Sequence, residues 1–260
     1  MWAPMNPVIS NWGNQRIWLI GASSGIGAAL AQQALGAGAH LALSARRQAQ
    51  LELIAHNQPR AHVIAFDASE PTAWPAAYAA ACAAMGGVDL VVFCAANYRP
   101  ERSWEVTPAG AAQTLAINLG AVYSGLASIL PAMLAQGRGG IALVASVAGY
   151  MGLPNASVYG PSKAALINLA EILYSDLHPK GLSVYLINPG FVKTELTAKN
   201  EFTMPALQTS EQAAEAIWRG ISAGKFEIHF PRRFTQFLKL LQLLPYRLRF
   251  ALFNYFLKLS

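Results

Sequence analysis

Charged residues and cysteine are scarce in this chain of 260 residues. Only 12% of the residues are charged and 54% are hydrophobic, a balance that excludes an intrinsically disordered protein. Two cysteines cannot form a disulfide scaffold, and the opening residues lack the basic and apolar regions of a secretory signal. We therefore expect one well-buried main domain in a reducing, cytoplasmic setting.

Metal-binding motifs are missing from the sequence. The five histidines form no pair at metal-ligand spacing, and no H-E-x-x-H arrangement occurs. A Walker-type phosphate-binding loop is also missing, which disfavours an NTPase. We expect no metal site.

The net charge of +6 is confined to one end of the chain. Residues 225–260 carry seven cations and one carboxylate, whereas residues 1–224 carry twelve charges of each sign. A neutral body lacks the basic surface that nucleic-acid binding requires. The sequence therefore predicts no nucleic-acid partner.

Two long stretches, 106–137 and 139–162, contain no charged residue, as membrane spans often do. Polar side chains such as Gln113, Asn118 and Ser124 interrupt the first stretch, and both contain several glycines and prolines. We expect buried helices and a central strand here.

Short apolar runs alternate with longer alanine-rich stretches, which is the pattern of βαβ units. The runs are apolar at every position, as is typical of strands that are covered on both faces. We therefore predict an α/β fold: a single doubly wound, parallel, Rossmann-like sheet with helices on both faces and a C-terminal amphipathic helical tail. The predicted strands are Ile17–Ile20, Leu41–Ser44, His62–Phe66, Leu90–Phe93, Ile141–Ala145 and Val184–Ile187.

A glycine-rich turn follows the first predicted strand and opens a helical stretch. Residues 21–27 read Gly-Ala-Ser-Ser-Gly-Ile-Gly. Glycines let the backbone approach a pyrophosphate, whose charge then lies against the free N–H groups of the helix. A tight turn without a ligand is the alternative. The candidate cofactor-binding residues here are Gly21, Ser23, Ser24, Gly25, Ile26 and Gly27.

The second predicted strand leads into Arg46 and Arg47, where a dinucleotide-binding fold places the adenosine ribose. An acidic residue there would accept the 2′-hydroxyl of NAD, and none is present. The guanidinium of Arg46 instead suits the 2′-phosphate of NADP(H) through charge-assisted hydrogen bonds. A solvated arginine is the alternative. Asp67, which follows the third predicted strand, is a candidate partner for the adenine amino group.

Ser146, Tyr159 and Lys163 form a candidate catalytic set. The spacing of four places the Tyr159 phenol and the Lys163 ammonium on one helix face. A nearby ammonium favours phenolate, so we expect a lowered pKa for Tyr159 and proton exchange with a carbonyl or alcohol oxygen. Ser146 could hydrogen-bond the same oxygen. An amphipathic helix surface is the alternative for the tyrosine and the lysine.

Together these residues resemble the short-chain dehydrogenase/reductase family, from about Arg16 to Ala223. The resemblance implies hydride transfer between C4 of a nicotinamide and a carbonyl or alcohol carbon. It implies that Tyr159 is the acid/base, that Ser146 donates to the substrate oxygen, and that Lys163 also holds the nicotinamide ribose.

Two further segments carry the resemblance. Asn118 matches the asparagine that anchors a proton-relay water in the family. The stretch 188–194, Asn-Pro-Gly-Phe-Val-Lys-Thr, matches the segment around the nicotinamide. The resemblance implies that the Val192 backbone and the Thr194 hydroxyl fix the carboxamide, with Pro189 and Gly190 also in the cofactor site.

One segment departs from the family pattern. Where the family usually has Asn-Asn-Ala-Gly, residues 93–96 read Phe-Cys-Ala-Ala, so an amide and a glycine are lost beside the adenosine half of the cofactor. Ala95 stays in the predicted cofactor site. We interpret Cys94 as a small buried hydrophobe, because no basic residue adjoins it in sequence.

Residues 191–210 lack a strong periodicity, which predicts a mobile lid over the cofactor. Because this lid and its neighbouring loops are apolar, we hypothesise a hydrophobic ketone or secondary alcohol as substrate, including fatty-acyl or lipid-like compounds. Ordinary packing of the lid is the alternative. The apolar residues are Phe191, Leu196, Phe202, Met204 and Leu207, with Tyr98, Tyr150 and Met151.

The basic tail, residues 232–260, predicts two short amphipathic helices, the second with Pro245 in its first turn. Its predicted polar stripe is Gln236, Lys239 and Gln242, and its predicted apolar stripe is Phe234, Phe237, Leu238, Leu241 and Leu244. Arg247 and Arg249 interrupt the apolar run and disfavour a membrane span, whereas a helix lying on the inner face of an anionic membrane fits. Packing on a partner subunit or capping of the pocket are equal alternatives.

The sequence therefore predicts an NADPH-dependent oxidoreductase with a dinucleotide-binding catalytic domain, residues 1–231, and a helical extension, residues 232–260. A dinucleotide-binding regulatory or scaffold protein without turnover is the alternative. By analogy with the family we expect a homodimer or homotetramer.

Overall fold

The computed structural model describes residues 3–200 and 204–257. Seven parallel strands form one sheet in the order β3-β2-β1-β4-β5-β6-β7. The strands are β1 Arg16–Ile20, β2 His40–Ser44, β3 Ala61–Val63, β4 Leu90–Phe93, β5 Gly139–Val144, β6 Leu182–Pro189 and β7 Glu227–Phe230.

Nine α-helices lie along the described residues. They are α1 Gly25–Gly36, α2 Gln48–Ala55, α3 Trp74–Met85, α4 Pro108–Leu115, α5 Ala121–Gln136, α6 Tyr159–Leu177, α7 Ser210–Ser222, α8 Arg232–Gln242 and α9 Tyr246–Leu257. A π-helical turn, Ala116–Gly120, joins α4 to α5.

Two buried clusters show that the sheet is doubly wound. On one face, Trp18 of β1 packs with side chains of α3, α5 and α6, among them Trp74 and Ile129. On the other face, Leu19 packs with α1, α2 and α7. Alternate residues of the same strand thus point into different cores, as expected for strands covered on both sides. The predicted fold class is confirmed.

Two strand predictions were wrong in detail. The third strand is Ala61–Val63 and not His62–Phe66. The Ile64 N–H still donates to the Leu43 carbonyl of β2 at 2.9 Å, and the Phe66 N–H donates to the Ala45 carbonyl just after β2 at 3.2 Å. The edge strand β7 was missed. Its burial alternates, with Ile228 buried and its neighbours half-buried, so no continuous apolar run marks it in the sequence.

The apolar stretch that precedes β5 is helical. Among the described residues, Pro108–Gln136 is the one helical stretch that is long and apolar enough to cross a membrane by length and composition alone. In this structure Val122, Ile129 and Met133 of the stretch are buried in the core. The stretch also contains the buried Asn118 in its π-helical turn, so it serves as a core helix of the domain.

The strand order reverses between β1 and β4. In doubly wound sheets such a switch point opens a crevice at the carboxyl ends of the strands, where ligands bind. The glycine turn follows β1, Arg46 and Arg47 follow β2, and Ser146 follows β5. The topology therefore brings residues that are far apart in sequence to one edge.

Close packing of α1 on β1 depends on Gly27. A Cβ atom at Gly27 would overlap the carbonyl oxygen of Gly21, whereas a Cβ atom at Gly36, in the same helix, would meet nothing within 4 Å. We expect Gly27→Ala to lower the free energy of unfolding by about 1–3 kcal/mol through overpacking. The measurement is urea denaturation of the purified protein.

Gly36→Ala is the matched control. It should raise the free energy of unfolding by roughly 0.5–1 kcal/mol, because alanine loses less backbone entropy in a helix. Equal stability changes for the two variants would contradict the proposed contact.

Candidate active site

A cavity of about 1650 Å³ lies at the carboxyl ends of the strands. Ligand sites for a single drug-sized molecule usually measure about 300–1,000 Å³, so this cavity is large enough for a dinucleotide together with a second molecule. Every predicted site residue except Asn118 lines it. These residues are Gly21, Ser23, Ser24, Gly25, Ile26, Gly27, Arg46, Asp67, Ala95, Ser146, Tyr159, Lys163, Pro189, Gly190, Val192 and Thr194.

The glycine turn forms a backbone cradle at one end of the cavity. Gly21 and Gly25 have φ angles of +91° and +55°, which disfavour residues with a Cβ atom. Ser24 precedes α1, yet its side chain does not cap the helix, and the first turn contains no acidic residue. The N–H groups of Gly21 and Ala22 donate to the Ser44 carbonyl, so the first N–H groups of α1 are the ones left for a pyrophosphate. The cradle fits the predicted cofactor.

Two arginines stand at the adenosine end. The Arg46 guanidinium lies 3.8 Å from the Asp67 carboxylate and is largely exposed. Arg47, which was not among the predicted site residues, donates to the Ser23 hydroxyl at 3.2 Å and to Glu195 at 3.0 Å. Arg47 therefore connects the glycine turn to the lid. Like Arg46, it lines the cavity, where it can bind an anionic group.

Asp67 is held ionised at the same end. Burial acts to raise the pKa of its carboxyl, but hydrogen bonds from the Ser69 hydroxyl and N–H, with Arg46 nearby, outweigh it and lower the pKa. The predicted contact with an adenine amino group thus has an acceptor in place.

Ser146, Tyr159 and Lys163 converge at the centre of the cavity. Ser146 follows β5, and Tyr159 and Lys163 occupy the first two turns of α6. The Lys163 Nζ atom donates to the Val144 carbonyl at 2.8 Å and lies 5.5 Å from the centre of the Tyr159 ring. The Ser146 hydroxyl acts on the Tyr159 phenol in the direction that lowers its pKa.

The expected fall in the pKa of Tyr159 is not observed. Burial raises the pKa of the phenol to about 12, with the Ser146 hydrogen bond acting in the opposite direction. Burial also lowers the pKa of Lys163 to about 8, because its ammonium group is removed from water. Without a cofactor, desolvation thus dominates the pKa of both side chains, and Tyr159 remains a proton donor at neutral pH.

Asn118 lies behind the cavity wall in the π-helical turn. Its amide donates to the Asn97 carbonyl and to the Ser162 hydroxyl at 3.0 Å each, and its oxygen accepts from the Asn97 N–H at 2.7 Å. Asn118 thereby fixes the loop after β4 against α6. Through Ser162, Asn118 contacts the residue that precedes Lys163 in α6. Its role in a proton relay stays a prediction.

The segment after β6 is braced by its own hydroxyl groups. The Thr197 hydroxyl donates to the Val192 carbonyl at 2.6 Å, and the Thr194 N–H donates to the Thr197 hydroxyl at 3.0 Å. The Gly190 N–H donates to the Phe230 carbonyl of β7 at 2.7 Å. These bonds fix the backbone that is predicted to hold the carboxamide.

The segment that departs from the family pattern lies against the glycine turn. A Cβ atom at Gly21 would contact the Ala95 backbone, so the two segments approach each other closely. Burial raises the pKa of the Cys94 thiol to about 11. Cys94 is therefore a protonated, unreactive side chain at neutral pH, in line with its interpretation as a hydrophobe.

The lid crosses the cavity and contacts the tyrosines. The Tyr98 hydroxyl donates to the Asn200 side chain at 2.7 Å, and the Tyr98 ring lies edge-on to the Tyr159 ring at 4.9 Å. Val192 and Gln208 form a β-bridge that joins the two ends of the lid. Phe202, one of the predicted lid side chains, lies outside the described residues.

The predicted helical tail forms one wall of the cavity. The helices α8 and α9 agree with the two predicted helices, and side chains of both line the cavity opposite the glycine turn. Capping of the pocket, one of the alternatives from sequence, is therefore part of what the tail does. The apolar residues at this end are Leu153, Pro154, Leu196, Phe234, Leu238, Leu241 and Leu252.

Sequence reasoning missed two site residues. Arg47, next to Arg46, was not assigned a role, and Asn97 holds Asn118. The described residues contain no group of three or more histidine, cysteine or acidic side chains that could hold a metal ion. The pair of adjacent arginines after β2 was the feature of the sequence that could have indicated a role for Arg47.

The fold and the cavity define a dinucleotide-binding oxidoreductase. Residues 15–204 match the family model described as short chain dehydrogenase, and the chain belongs to the short-chain dehydrogenase/reductase family. An uncharacterized oxidoreductase of Myxococcus xanthus is 33% identical over 229 residues, which cover 86% of this chain and 90% of that protein.

Two solved structures share the fold. A short chain dehydrogenase/reductase from Burkholderia phymatum in complex with NAD has a TM-score of 0.81 and 23% identity, covering 89% of this chain and 94% of that one. A short-chain dehydrogenase from Sphingobium yanoikuyae in complex with NADPH has a TM-score of 0.77 and 21% identity, covering 89% and 97%. These two likenesses show the fold, and the family match and the Myxococcus relative make the chain an NAD(P)-linked oxidoreductase.

The buried Lys163 ammonium should destabilise the cofactor-free protein. Its pKa is about 8 in the folded state and 10.5 ordinarily, so below pH 8 folding must bury the charge. We expect Lys163→Met to raise the free energy of unfolding by up to about 3 kcal/mol near pH 7. This gain should shrink as the pH rises from about 8 towards 10.5, where the folded wild type releases its proton before the unfolded chain does. The measurement is chemical denaturation at about pH 7 and about pH 9.5.

Lys180→Met is the control, because Lys180 is exposed and its charge stays in water. It should show no comparable pH-dependent gain. A Lys163→Met variant that is less stable than the wild type at both pH values would contradict the desolvation argument.

Proposed function

We propose that the protein is an NADPH-dependent reductase that transfers hydride between the nicotinamide and a hydrophobic ketone, and that it oxidises the corresponding secondary alcohol in reverse. The observation that carries this proposal is the convergence of Ser146, Tyr159 and Lys163 between the glycine cradle and the apolar end of the cavity. When bound, the cofactor supplies the hydride.

The three side chains divide the remaining work. In reduction, the Tyr159 phenol gives its proton to the substrate oxygen, and burial keeps that proton in place at neutral pH. The Ser146 hydroxyl donates to the same oxygen and stabilises the charge that develops there. The Lys163 ammonium lies close to the phenol and stabilises the phenolate that remains after proton transfer.

The adenosine end favours a phosphorylated ribose. The β2 strand is followed by two arginines and no carboxylate, so it lacks the acceptor that a 2′-hydroxyl would use. The carboxylate partners of Arg46 and Arg47 are Asp67 and Glu195, on other segments, and both pairs are solvent-exposed. Such pairs are weak, so a 2′-phosphate could replace them at little cost.

The substrate end favours an apolar compound. Side chains from α8, α9 and the loop after β5 line this end, among them Leu153, Phe234, Leu238, Leu241 and Leu252, together with the hydroxyls of Ser146 and Tyr159. A site with few polar groups orients a carbonyl oxygen and accepts an aliphatic or aromatic body. A polar sugar-like ketone would bring several hydroxyl groups into a site that offers them few partners.

Assembly into a homodimer or homotetramer is part of this proposal. The helices α5 and α6 carry exposed large apolar side chains, among them Tyr123, Leu134 and Ile172. Such side chains suit an interface between copies of the chain. Light scattering of the purified protein measures the oligomeric state.

Removal of the Tyr159 hydroxyl separates an enzyme from a non-catalytic cofactor-binding protein. We expect Tyr159→Phe to lower kcat for ketone reduction by about a hundred- to ten-thousandfold, because the proton donor is lost. NADPH binding, followed by fluorescence, should change little. The exposed Tyr123 offers the matched control, Tyr123→Phe, with unchanged kcat. NADPH binding without turnover of any carbonyl compound by the wild type would favour the regulatory alternative.

Arg46 and Arg47 should determine the cofactor preference. We expect Arg46→Ala and Arg47→Ala to raise KM for NADPH roughly ten- to a hundredfold each, since each removes charge-assisted hydrogen bonds to the 2′-phosphate. KM for NADH should change much less. Steady-state rates with both cofactors measure this, with the exposed Arg138→Ala as control. A wild type that prefers NADH would refute the assignment.

The substrate class is tested by a panel of carbonyl compounds with NADPH, followed by the loss of its absorbance. Alkyl and aryl ketones should be reduced with a higher kcat/KM than sugar-like ketones. Equal values for the two classes would contradict the apolar assignment.

A further inference from the structure

The exposed sides of α8 and α9 form a surface that is both apolar and basic. Leu243 and Tyr246 are exposed where the two helices join, so the exposed sides are continuous along the chain. We call this surface the outer face. It consists of Arg232, Arg233, Leu240, Leu243, Tyr246, Arg247, Leu248 and Phe250.

The predicted stripes of α8 are only partly correct. Two of the three predicted polar residues turn towards the body: Lys239 pairs with Glu227, and the Gln242 amide donates to the Tyr150 carbonyl. Leu240 and Leu243 instead point to solvent and are 64% and 80% exposed. An ordinary surface helix has the opposite arrangement, with polar side chains outward and leucines inward.

This exposure is concentrated in one place. Single exposed leucines are common on protein surfaces, whereas contiguous exposed apolar patches mark interaction sites. The five large hydrophobic side chains of the outer face lie within residues 240–250 and form the densest such group along the described part of the chain. The outer face therefore has the character of a binding surface.

The charge of the outer face indicates what binds it. Residues 228–260 contain no acidic residue, and Arg232, Arg233 and Arg247 are exposed. A symmetric contact between two copies would place these arginines opposite one another without a carboxylate in the face. Anionic lipid headgroups complement the arginines, and the acyl region accepts the leucines and aromatic rings.

The opposite side of α8 lines the active cavity. Phe234, Leu238 and Leu241 face that cavity, and Leu252 of α9 joins them there. The same helix therefore separates the apolar end of the cavity from the outer face. A surface that binds the outer face would lie one helix diameter, roughly 10 Å, from the site at which an apolar substrate is held.

We propose that α8 and α9 bind in the plane of an anionic membrane surface through the outer face, and that the apolar end of the cavity takes its substrate from that membrane. The substrate is then a lipid-dissolved ketone or secondary alcohol. This second part rests on the proposed function, whereas membrane binding does not.

Membrane binding is tested by cosedimentation of the full chain with vesicles. Vesicles of phosphatidylcholine containing a quarter phosphatidylglycerol should bind the protein at least tenfold more tightly than pure phosphatidylcholine vesicles, and high salt should weaken this preference. Equal binding to both kinds of vesicle, or binding to neither, would overturn the proposal.

Variants of the outer face locate the contact. Leu240→Asn with Leu243→Asn should lower vesicle binding about tenfold or more by removing apolar area, whereas Leu53→Asn, at a 69% exposed leucine on α2, should not. Replacing Arg232, Arg233 and Arg247 by glutamine should lower binding by about two orders of magnitude on anionic vesicles, since each arginine contributes roughly a factor of five. The exposed Arg138→Gln is the matched charge control.

Light scattering of the same variants tests the competing occupant. If Leu240→Asn with Leu243→Asn separates an oligomer and leaves vesicle binding unchanged, the outer face is an interface between copies and the proposal is wrong. An unchanged oligomeric state with reduced vesicle binding supports it.

The source of the substrate is tested with two ketones. For a long-chain ketone dissolved in anionic vesicles, the double asparagine variant should show a kcat/KM at least tenfold below that of the wild type, while its kcat/KM for a short water-soluble ketone stays within twofold. Equal loss for both ketones would overturn the access route. Vesicle binding by a protein that reduces no carbonyl compound would refute the proposed function and leave the membrane contact standing.

Discussion

Lys163 is the only buried lysine or arginine among the described residues, and its ammonium donates to the Val144 carbonyl at the end of β5. A buried charge is unfavourable unless the surrounding structure holds it in place, and a low local dielectric strengthens its effect on neighbouring groups. The parallel sheet and α6 together fix this position. The geometry of Tyr159 and Ser146 then follows, because one residue lies a helical turn away and the other follows the same strand.

Much of the fold could be predicted because the buried strands are apolar at every position. The strands β1, β2, β4, β5 and β6 were located to within a few residues, since both faces of each are covered by helices. The edge strand β7 could not be found in this way, because only one of its faces is packed in the core and its sequence alternates. Edge strands carry a weaker signal for this reason.

The site was predicted best where chemistry demands a particular residue. Glycine is required in the turn after β1, and the serine, tyrosine and lysine are set by the reaction that the family performs. The sequence could not show that Arg47 reaches Ser23, because that contact depends on how the chain leaves β2. Nor could it show the pKa of Tyr159, because that value depends on burial more than on the lysine four residues away. The amphipathic character of α8 was predicted, and two residues of its predicted apolar stripe, Leu238 and Leu241, are buried. The sequence could not show that Lys239 and Gln242 turn towards the body, because their partners Glu227 and Tyr150 are distant in the chain.

Glu227 of the missed strand β7 connects three parts of the molecule. Its carboxylate accepts hydrogen bonds from Tyr150 in the loop after β5, from Asn188 in the strand that leads to the nicotinamide segment, and from Lys239 of α8. Although burial opposes it, these donors hold the pKa of Glu227 below its usual value. A tilt of α8 would therefore move the Glu227 carboxylate through Lys239. The same carboxylate holds Asn188, which leads into the segment that is proposed to bind the nicotinamide. The proposed membrane contact and the proposed nicotinamide segment therefore depend on the same carboxylate.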